Sequence, residues 1–192
     1  MILFFLLPIQ NGVGIFVALG IFILASLSDM IDGKIARKYN LITDFGKFMD
    51  QIADKFIATT AVILIMFENV LPVWAGALVI IIISCRDTLV GGIRQVAASK
   101  GTVIPADMFG KFKSLFLDTS SIVLMLFIGL TKAGVEAQLL MDIVYYIGIS
   151  LLAIGVVLTL VSGVNYTIKA IPFLKENHSV AIEEPVETEE EK

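Results

Sequence analysis

The sequence has few of the residues that most often carry catalysis or covalent cross-links in soluble proteins. Cys85 is the only cysteine and His178 the only histidine among 192 residues. A single cysteine excludes an intrachain disulfide. A single histidine, placed in the polar C-terminal tail, excludes a histidine-based triad and a multi-histidine zinc site. Carboxylates and basic side chains must therefore carry any chemistry.

Charge is also missing from long stretches. Residues 1–28, 69–85 and 143–168 hold no charged side chain, and 57% of all residues are hydrophobic. A hydrocarbon core of about 30 Å requires roughly 20 apolar residues per helix. The sequence therefore predicts an all-α, multi-pass membrane protein, a helical bundle with spans near 12–31, 47–67, 71–93, 112–131 and 139–169 and a partial span at 1–9.

The basic residues predict an orientation. Segments 34–55 and 86–113 are rich in lysine and arginine. The connections around 68–72 and 131–138 contain a single basic residue, Lys132. The excess of positive charge predicts that both basic segments and the C-terminal tail face the cytoplasm. Residues 1–172 are predicted to form the transmembrane domain, and residues 173–192, rich in glutamate, a disordered cytoplasmic tail.

Four aspartates lie beside these predicted spans. Asp29 and Asp32 are three residues apart, and Asp50 and Asp54 are four apart, so each pair shares one helix face. A short connection would make the two helices antiparallel neighbours and let the pairs converge. Such a cluster suits two Mg²⁺ or Mn²⁺ ions, which could clamp a pyrophosphate. The alternative, surface carboxylates paired with lysines, is disfavoured because charge at membrane depth is expensive.

The residue pattern around the aspartates is specific. "DMIDGKIAR", a gap of eight residues and "GKFMDQIAD" fit D-x2-D-G-x2-A-R-x8-G-x3-D-x3-D. The chain thereby resembles the CDP-alcohol phosphatidyltransferase family. The matching positions are Asp29, Asp32, Gly33, Ala36, Arg37, Gly46, Asp50 and Asp54.

The resemblance implies a six-helix enzyme of the cytoplasmic membrane, usually a homodimer, whose active site faces the cytoplasm; the first helix looks truncated in this sequence. It implies that Asp29, Asp32 and Asp50 ligate the metal pair, with Asp54 as a further ligand and the general base. The CDP-linked donor would be bound by Asp29, Asp32, Gly33, Ala36, Arg37, Gly46 and Asp50. Nucleic acid is not expected as a partner.

The second basic segment bears on the acceptor alcohol. Arg86, Arg94, Lys111 and Lys113 would suit an acceptor that carries a phosphate, although a plain orientation signal would also explain their charge. The order of residues from Arg86 to Ser114 resembles the bacterial phosphatidylglycerophosphate synthase branch of the family. That resemblance implies transfer from CDP-diacylglycerol to sn-glycerol 3-phosphate.

Asp118 could orient a nearby lysine or face a hydrated cavity.

Other functions remain open at this point. A family member that forms cardiolipin or accepts inositol phosphate would share the signature and differ in the segment 86–113. A UbiA-type prenyltransferase would need an N-x3-D-x3-D spacing, which this sequence lacks. A divalent-cation transporter would place its carboxylates near the middle of the membrane, whereas these lie at predicted helix ends.

Overall fold

The computed structural model describes residues 12–39, 44–99 and 108–180, and all regular structure in these ranges is α-helical. The all-α class predicted from the sequence is thus confirmed. The helices are α1 (Gly12–Lys38), α2 (Asp44–Phe67), α3 (Val73–Ser99), α4 (Met108–Lys132) and α5 (Gln138–Val180). The predicted partial span at 1–9 lies outside the described residues.

Most helices are longer than the spans predicted from the apolar runs. Helix α1 continues to Lys38 and α3 to Ser99. Helix α5 has 43 residues, or about 65 Å at the usual rise, roughly twice the hydrocarbon thickness. An apolar run marks the part of a helix that suits lipid, whereas the helix itself can continue into water. Helix α5 enters the predicted tail as far as Val180, and residues 181–192 lie outside the description.

Helix α4 lies at the centre of the bundle. It packs against α1, α2 and α5, while α3 packs against α2 and α5. Its buried residues recur at helical spacing, as expected for a helix with an inward face: Leu117, Leu124, Met125 and Ile128. Helix α5 approaches α4 closely where Gly148 faces Leu124 and Gly155 faces Leu117. The core is therefore built around α4.

One end of the bundle contains two tight connections. Helices α2 and α4 each end in a left-handed residue, Asn69 (φ 58°) and Gly134 (φ 74°). The backbone hydrogen bonds that follow, such as Val135 N–H to the carbonyl of Leu130, form the capping pattern that satisfies the last carbonyls of a helix. Lys132 Nζ donates to Glu68 Oε1 at 2.7 Å and joins the two helix ends.

The outer surface of the bundle is strongly apolar. Trp74 is 70% exposed and Leu89 62% exposed on α3. Contiguous apolar surface of this kind is rare on soluble proteins. Among the described residues, three helices are long and apolar enough to cross a membrane, over Val73–Ala97, Phe112–Lys132 and Gln138–Ile171. The apolar parts of α1 and α2 among the described residues are shorter, Gly12–Ser28 and Lys55–Phe67. The protein is a membrane protein.

Candidate active site

Both halves of the aspartate signature are helical. The segment from Asp29 to Arg37 forms the last turns of α1, and Gly46, Asp50 and Asp54 lie in the first turns of α2. The backbone therefore places each aspartate pair on one face of its helix, and α1 and α2 both pack against α4. The side chains of Asp29, Asp32, Asp50 and Asp54 lie outside the described residues, as do those of Ala36 and Arg37. Convergence of the carboxylates and the metal site stay predictions.

A cluster of charged residues lies at the same end of the bundle, where α3, α4 and α5 meet. Arg86 Nη1 donates to Asp87 Oδ1 at 2.9 Å, and Lys113 Nζ on α4 donates to the same oxygen. Arg86 Nη2 donates to Ser162 Oγ on α5 at 2.5 Å. The side chains of Arg86 and Lys113 are only 12% and 7% exposed. Two cations thus surround one carboxylate in a mostly buried position.

Arg86 occupies a narrow slot between two helices. A methyl group added at Gly110 of α4 would lie 3.2 Å from Arg86 Nη2, and one added at Gly163 of α5 would lie 3.0 Å from Arg86 Cγ. Glycine at both positions lets the arginine pass between the helices. Its Nε–H is buried and has no hydrogen-bond partner among the described residues. Buried donors are normally paired, so this N–H group is an exception within the cluster.

Arg94 lies two turns beyond Arg86 and is also held by α5. Its Nε donates to the hydroxyl of Tyr166 at 3.1 Å, and its guanidinium carbon lies 5.2 Å from the centre of the tyrosine ring. That distance is within the range of a cation–π contact. Tyr166 is completely enclosed, whereas Arg94 is exposed. The arginine is therefore anchored at one edge and open to solvent at the other.

Both arginines lie on the face of α3 that packs against the other helices. Ile83, Val90 and Ala97 are buried and recur with Arg86 and Arg94 at helical spacing, so the two cations belong to the inner face of the helix. A charge that served only to orient the chain in the membrane would have no reason to lie on that face. The location places both arginines in contact with polar groups of the protein.

A hydrogen bond connects the signature helix with the helix of the arginines. Lys55 Nζ on α2 donates to Thr88 Oγ1 on α3 at 3.3 Å. Lys55 follows Asp54 in the chain, and Thr88 follows Asp87. The contact places the middle of α2 beside the charged cluster, so the helix that contains the second aspartate pair passes next to it.

The structure brings together some of the predicted site residues. Arg86 and Lys113 meet at Asp87, and Arg94 lies farther along the same interface of α3 and α5. The side chain of Lys111 lies outside the described residues. Gly46 is exposed and Asp118 half-buried, and the roles assigned to them stay predictions.

Sequence reasoning missed Ser162 and Tyr166. Each lies within an uncharged run that predicts only a membrane span. A usable signal was present, because Thr159, Ser162 and Tyr166 repeat at helical spacing and polar groups are rare in the apolar part of a span. All three are buried. The pattern marks the face of α5 that packs against the other helices.

Comparison with known proteins identifies the family. The model of the CDP-alcohol phosphatidyltransferases matches residues 1–164, a range that includes the signature, the charged cluster and most of α5. The chain belongs to the CDP-alcohol phosphatidyltransferase family, and the resemblance seen in the sequence is confirmed.

Several relatives have a more specific name, CDP-diacylglycerol--glycerol-3-phosphate 3-phosphatidyltransferase. The one from Bacillus subtilis is 46% identical over 94 residues, 49% of this chain and 47% of the relative. The one from Rickettsia typhi is 34% identical over 147 residues, 76% of this chain and 75% of the relative. The one from Mycoplasma pneumoniae is 34% identical over 106 residues, 55% of this chain and 45% of the relative. The alignments thus span from about half to three quarters of these relatives.

Proposed function

We propose that this protein transfers the phosphatidyl group of CDP-diacylglycerol to sn-glycerol 3-phosphate, forming phosphatidylglycerophosphate and CMP. The family supplies the general reaction, and the names of the relatives agree with this donor and acceptor. The observation that carries the acceptor assignment is the cluster of Arg86, Asp87 and Lys113 beside the signature helices.

The transfer is a displacement at phosphorus. The oxygen of a free hydroxyl of sn-glycerol 3-phosphate forms a bond to the β-phosphorus of the donor. The bond between that phosphorus and the bridging oxygen breaks, and CMP leaves with the electron pair. Asp54 accepts the proton of the attacking hydroxyl as general base. Asp54 precedes Lys55, whose contact with Thr88 lies beside the cationic cluster, and this proximity supports the assignment.

Aspartate oxygens are suited to hold hard divalent cations. We assign Asp29, Asp32, Asp50 and Asp54 as ligands of two Mg²⁺ or Mn²⁺ ions, since carboxylates without nearby histidine or cysteine favour these ions. When bound, the ions would neutralise charge on the pyrophosphate and on the leaving group. Gly33, Ala36, Arg37 and Gly46, interleaved with the aspartates, would bind the nucleotide.

The acceptor's phosphate is assigned to the basic residues of the second segment. Arginine binds phosphate through two parallel hydrogen bonds, and lysine adds a point charge. Arg86 lies within the charged cluster, and Arg94 is open to solvent farther along the same helix. Lys111 and Lys113 at the start of α4 complete the set. The site would thus hold the phosphate of the acceptor while its hydroxyl reaches the donor.

The proposed reaction places the cationic end of the bundle at the cytoplasmic face of the cell membrane. Glycerol 3-phosphate and the CDP head group are highly charged and are supplied from water, so the site must open to the aqueous side. The excess of basic residues at this end agrees with that orientation. We also propose a homodimer, as the family resemblance implies.

The function is tested by CMP release from CDP-diacylglycerol with a panel of acceptors. The full-length protein in detergent micelles is assayed with sn-glycerol 3-phosphate, inositol phosphate, glycerol and phosphatidylglycerol, each with Mg²⁺ and with a chelator. Release that depends on sn-glycerol 3-phosphate and Mg²⁺ would support the proposal. A preference for inositol phosphate or phosphatidylglycerol would assign the protein to another branch of the family, and release without metal would remove the metal assignment.

A further inference from the structure

Helix α5 lies next to both arginines of the proposed acceptor site, although it contains none of the predicted site residues. Its inner face is polar over two turns, and Thr159, Ser162 and Tyr166 are each no more than 1% exposed. Two of these hydroxyls accept a hydrogen bond from an arginine of α3. The third, of Thr159, donates to the backbone carbonyl of Gly155 at 2.7 Å and contacts no cation through a hydrogen bond in the described structure.

We propose that Ser162 and Tyr166 are positioning residues that orient Arg86 and Arg94 towards the acceptor's phosphate. The proposal rests on the function proposed above, because it concerns the affinity of that same site. Neither residue touches the reacting atoms in this account. Each acts through the arginine that it holds.

The hydrogen bond that Arg94 donates to Tyr166 uses only the Nε–H group of the guanidinium. Tyr166 accepts from Nε alone, so the two terminal nitrogens, which form the end of the guanidinium fork, have no hydrogen bond to any described residue. That end presents two parallel N–H groups with the geometry that a phosphate accepts. The tyrosine ring lies against the guanidinium and limits its rotation. Tyr166 thereby fixes an otherwise exposed, flexible side chain in a binding orientation.

Ser162 acts on Arg86 in a different way. Its hydroxyl accepts from Nη2 while Asp87 accepts from Nη1, so each terminal nitrogen has one fixed partner. Gly110 and Gly163 enclose the side chain from two helices. With the plane of the guanidinium fixed by these four residues, its remaining N–H donors are held in one orientation. Loss of the serine hydroxyl would free one end of the fork and allow the plane to turn.

The spacing of the two pairs fits this arrangement. Arg86 and Arg94 are separated by about 12 Å along α3, whereas Ser162 and Tyr166 are separated by about 6 Å along α5. The two helices run parallel here, since the later arginine bonds the later residue of α5. The arginine side chains are long enough to bridge this difference in spacing. Both guanidinium groups therefore contact one region of α5. Preorganised cations bind an anion more tightly because less freedom is lost on binding.

The variants Ser162→Ala and Tyr166→Phe test the proposal. Each removes one hydroxyl, and phenylalanine keeps the ring that contacts Arg94. We expect the KM for sn-glycerol 3-phosphate to rise about five- to tenfold in each, as for the loss of one hydrogen bond. The KM for CDP-diacylglycerol should change by less than about twofold, because uniform loss of acceptor binding leaves the donor site intact.

Thr159→Val is the matched control. It removes an equally buried hydroxyl from the same face of α5, but one that bonds only its own helix. Its KM for sn-glycerol 3-phosphate should equal that of the unmodified protein. The Tm of all three variants is measured to compare their stability. If Thr159→Val raised the acceptor KM as much as the other two, a general effect of helix packing would replace the proposed positioning.

A double-mutant cycle separates positioning from packing. In a chain that already contains Arg94→Ala, Tyr166→Phe should cause no further rise in acceptor KM, because the tyrosine has nothing left to orient. A rise equal to that in the unmodified background would contradict the proposal. So would an unchanged acceptor KM in both single variants.

Binding of sn-glycerol 3-phosphate, measured by calorimetry without donor, provides a readout independent of turnover. The Kd should rise in parallel with the KM in Ser162→Ala and Tyr166→Phe. If the unmodified protein instead turns over another phosphorylated acceptor, the proposed function fails, and the same variants with that acceptor still decide the positioning role. If the protein binds neither sn-glycerol 3-phosphate nor inorganic phosphate and turns over no acceptor, both proposals are wrong.

Discussion

At the scale of single residues, the site depends on side chains that hold one another in place. Arg86 is fixed by Asp87, Ser162 and the two glycines that enclose it. Such an arginine cannot be replaced by an equally charged lysine without loss, because lysine has no planar fork and cannot donate to two fixed acceptors in the same way. The chemistry of the site therefore depends on shape as well as charge.

Arg86→Lys should raise the KM for sn-glycerol 3-phosphate by about tenfold, while the KM for CDP-diacylglycerol stays within about twofold. The charge is retained, but the contact with Ser162 and the buried Nε–H are lost. Steady-state kinetics with each substrate varied in turn measure both values. An acceptor KM equal to that of the unmodified protein would show that Arg86 serves only the structure or the orientation of the chain.

Asp54→Asn should lower kcat by at least about a hundredfold, the usual contribution of a general base. The amide cannot accept the proton of the attacking hydroxyl. Binding of CDP-diacylglycerol, followed by protection against thermal unfolding, should persist. A variant with near-normal kcat would remove Asp54 as the base. A variant that no longer bound the donor would assign it mainly to binding.

At the scale of helices, sequence and structure agree where the determinants are local. The aspartate pairs lie on two consecutive helices, as their spacing predicts, whereas the roles of the eight signature positions stay predictions. The helix ends were less well predicted, since α1 and α3 continue past their apolar runs. The contacts of Arg86 with Ser162 and of Arg94 with Tyr166 join residues 76 and 72 positions apart. Local patterns do not specify which distant helix will lie opposite.

The ion pair of Lys132 with Glu68 makes a separate prediction at this scale. It joins the ends of α2 and α4 at the end of the bundle opposite the proposed site. Glu68→Gln should therefore lower stability, on the order of 1 kcal/mol, and leave both KM values unchanged. Thermal unfolding in detergent and the CMP-release assay measure the two effects. A rise in acceptor KM would mean that this end of the bundle is coupled to the site.

At the scale of the whole molecule, the two ends of the bundle differ in chemistry. One has short capped connections and the pair of Lys132 with Glu68. The other has the signature, the arginines of α3 and the start of α4. An apolar outer surface connects them. This asymmetry is what the charge distribution of the sequence predicts, whereas the orientation in the membrane depends on the insertion of the chain and is a proposal.

Accessibility to a membrane-impermeant maleimide tests that orientation. Cys85 is first replaced by serine, which leaves no other cysteine in the sequence. A cysteine at the exposed position of Glu136 should then be labelled in intact cells. One at the exposed position of Tyr39 should be labelled only after the cells are permeabilised. The opposite pattern would place the proposed site on the outer face of the membrane, where a CDP-linked donor made in the cell could not reach it.

Identification of the lipid product shows directly whether the protein transfers a phosphatidyl group to sn-glycerol 3-phosphate. The purified protein is incubated with CDP-diacylglycerol, radiolabelled sn-glycerol 3-phosphate and Mg²⁺, and the organic extract is analysed by mass spectrometry while CMP is measured in the aqueous phase. We expect labelled phosphatidylglycerophosphate in equal amount to CMP, and neither product in Asp54→Asn. Release of CMP without label in the lipid would contradict the proposed function, as would label in the lipid without CMP.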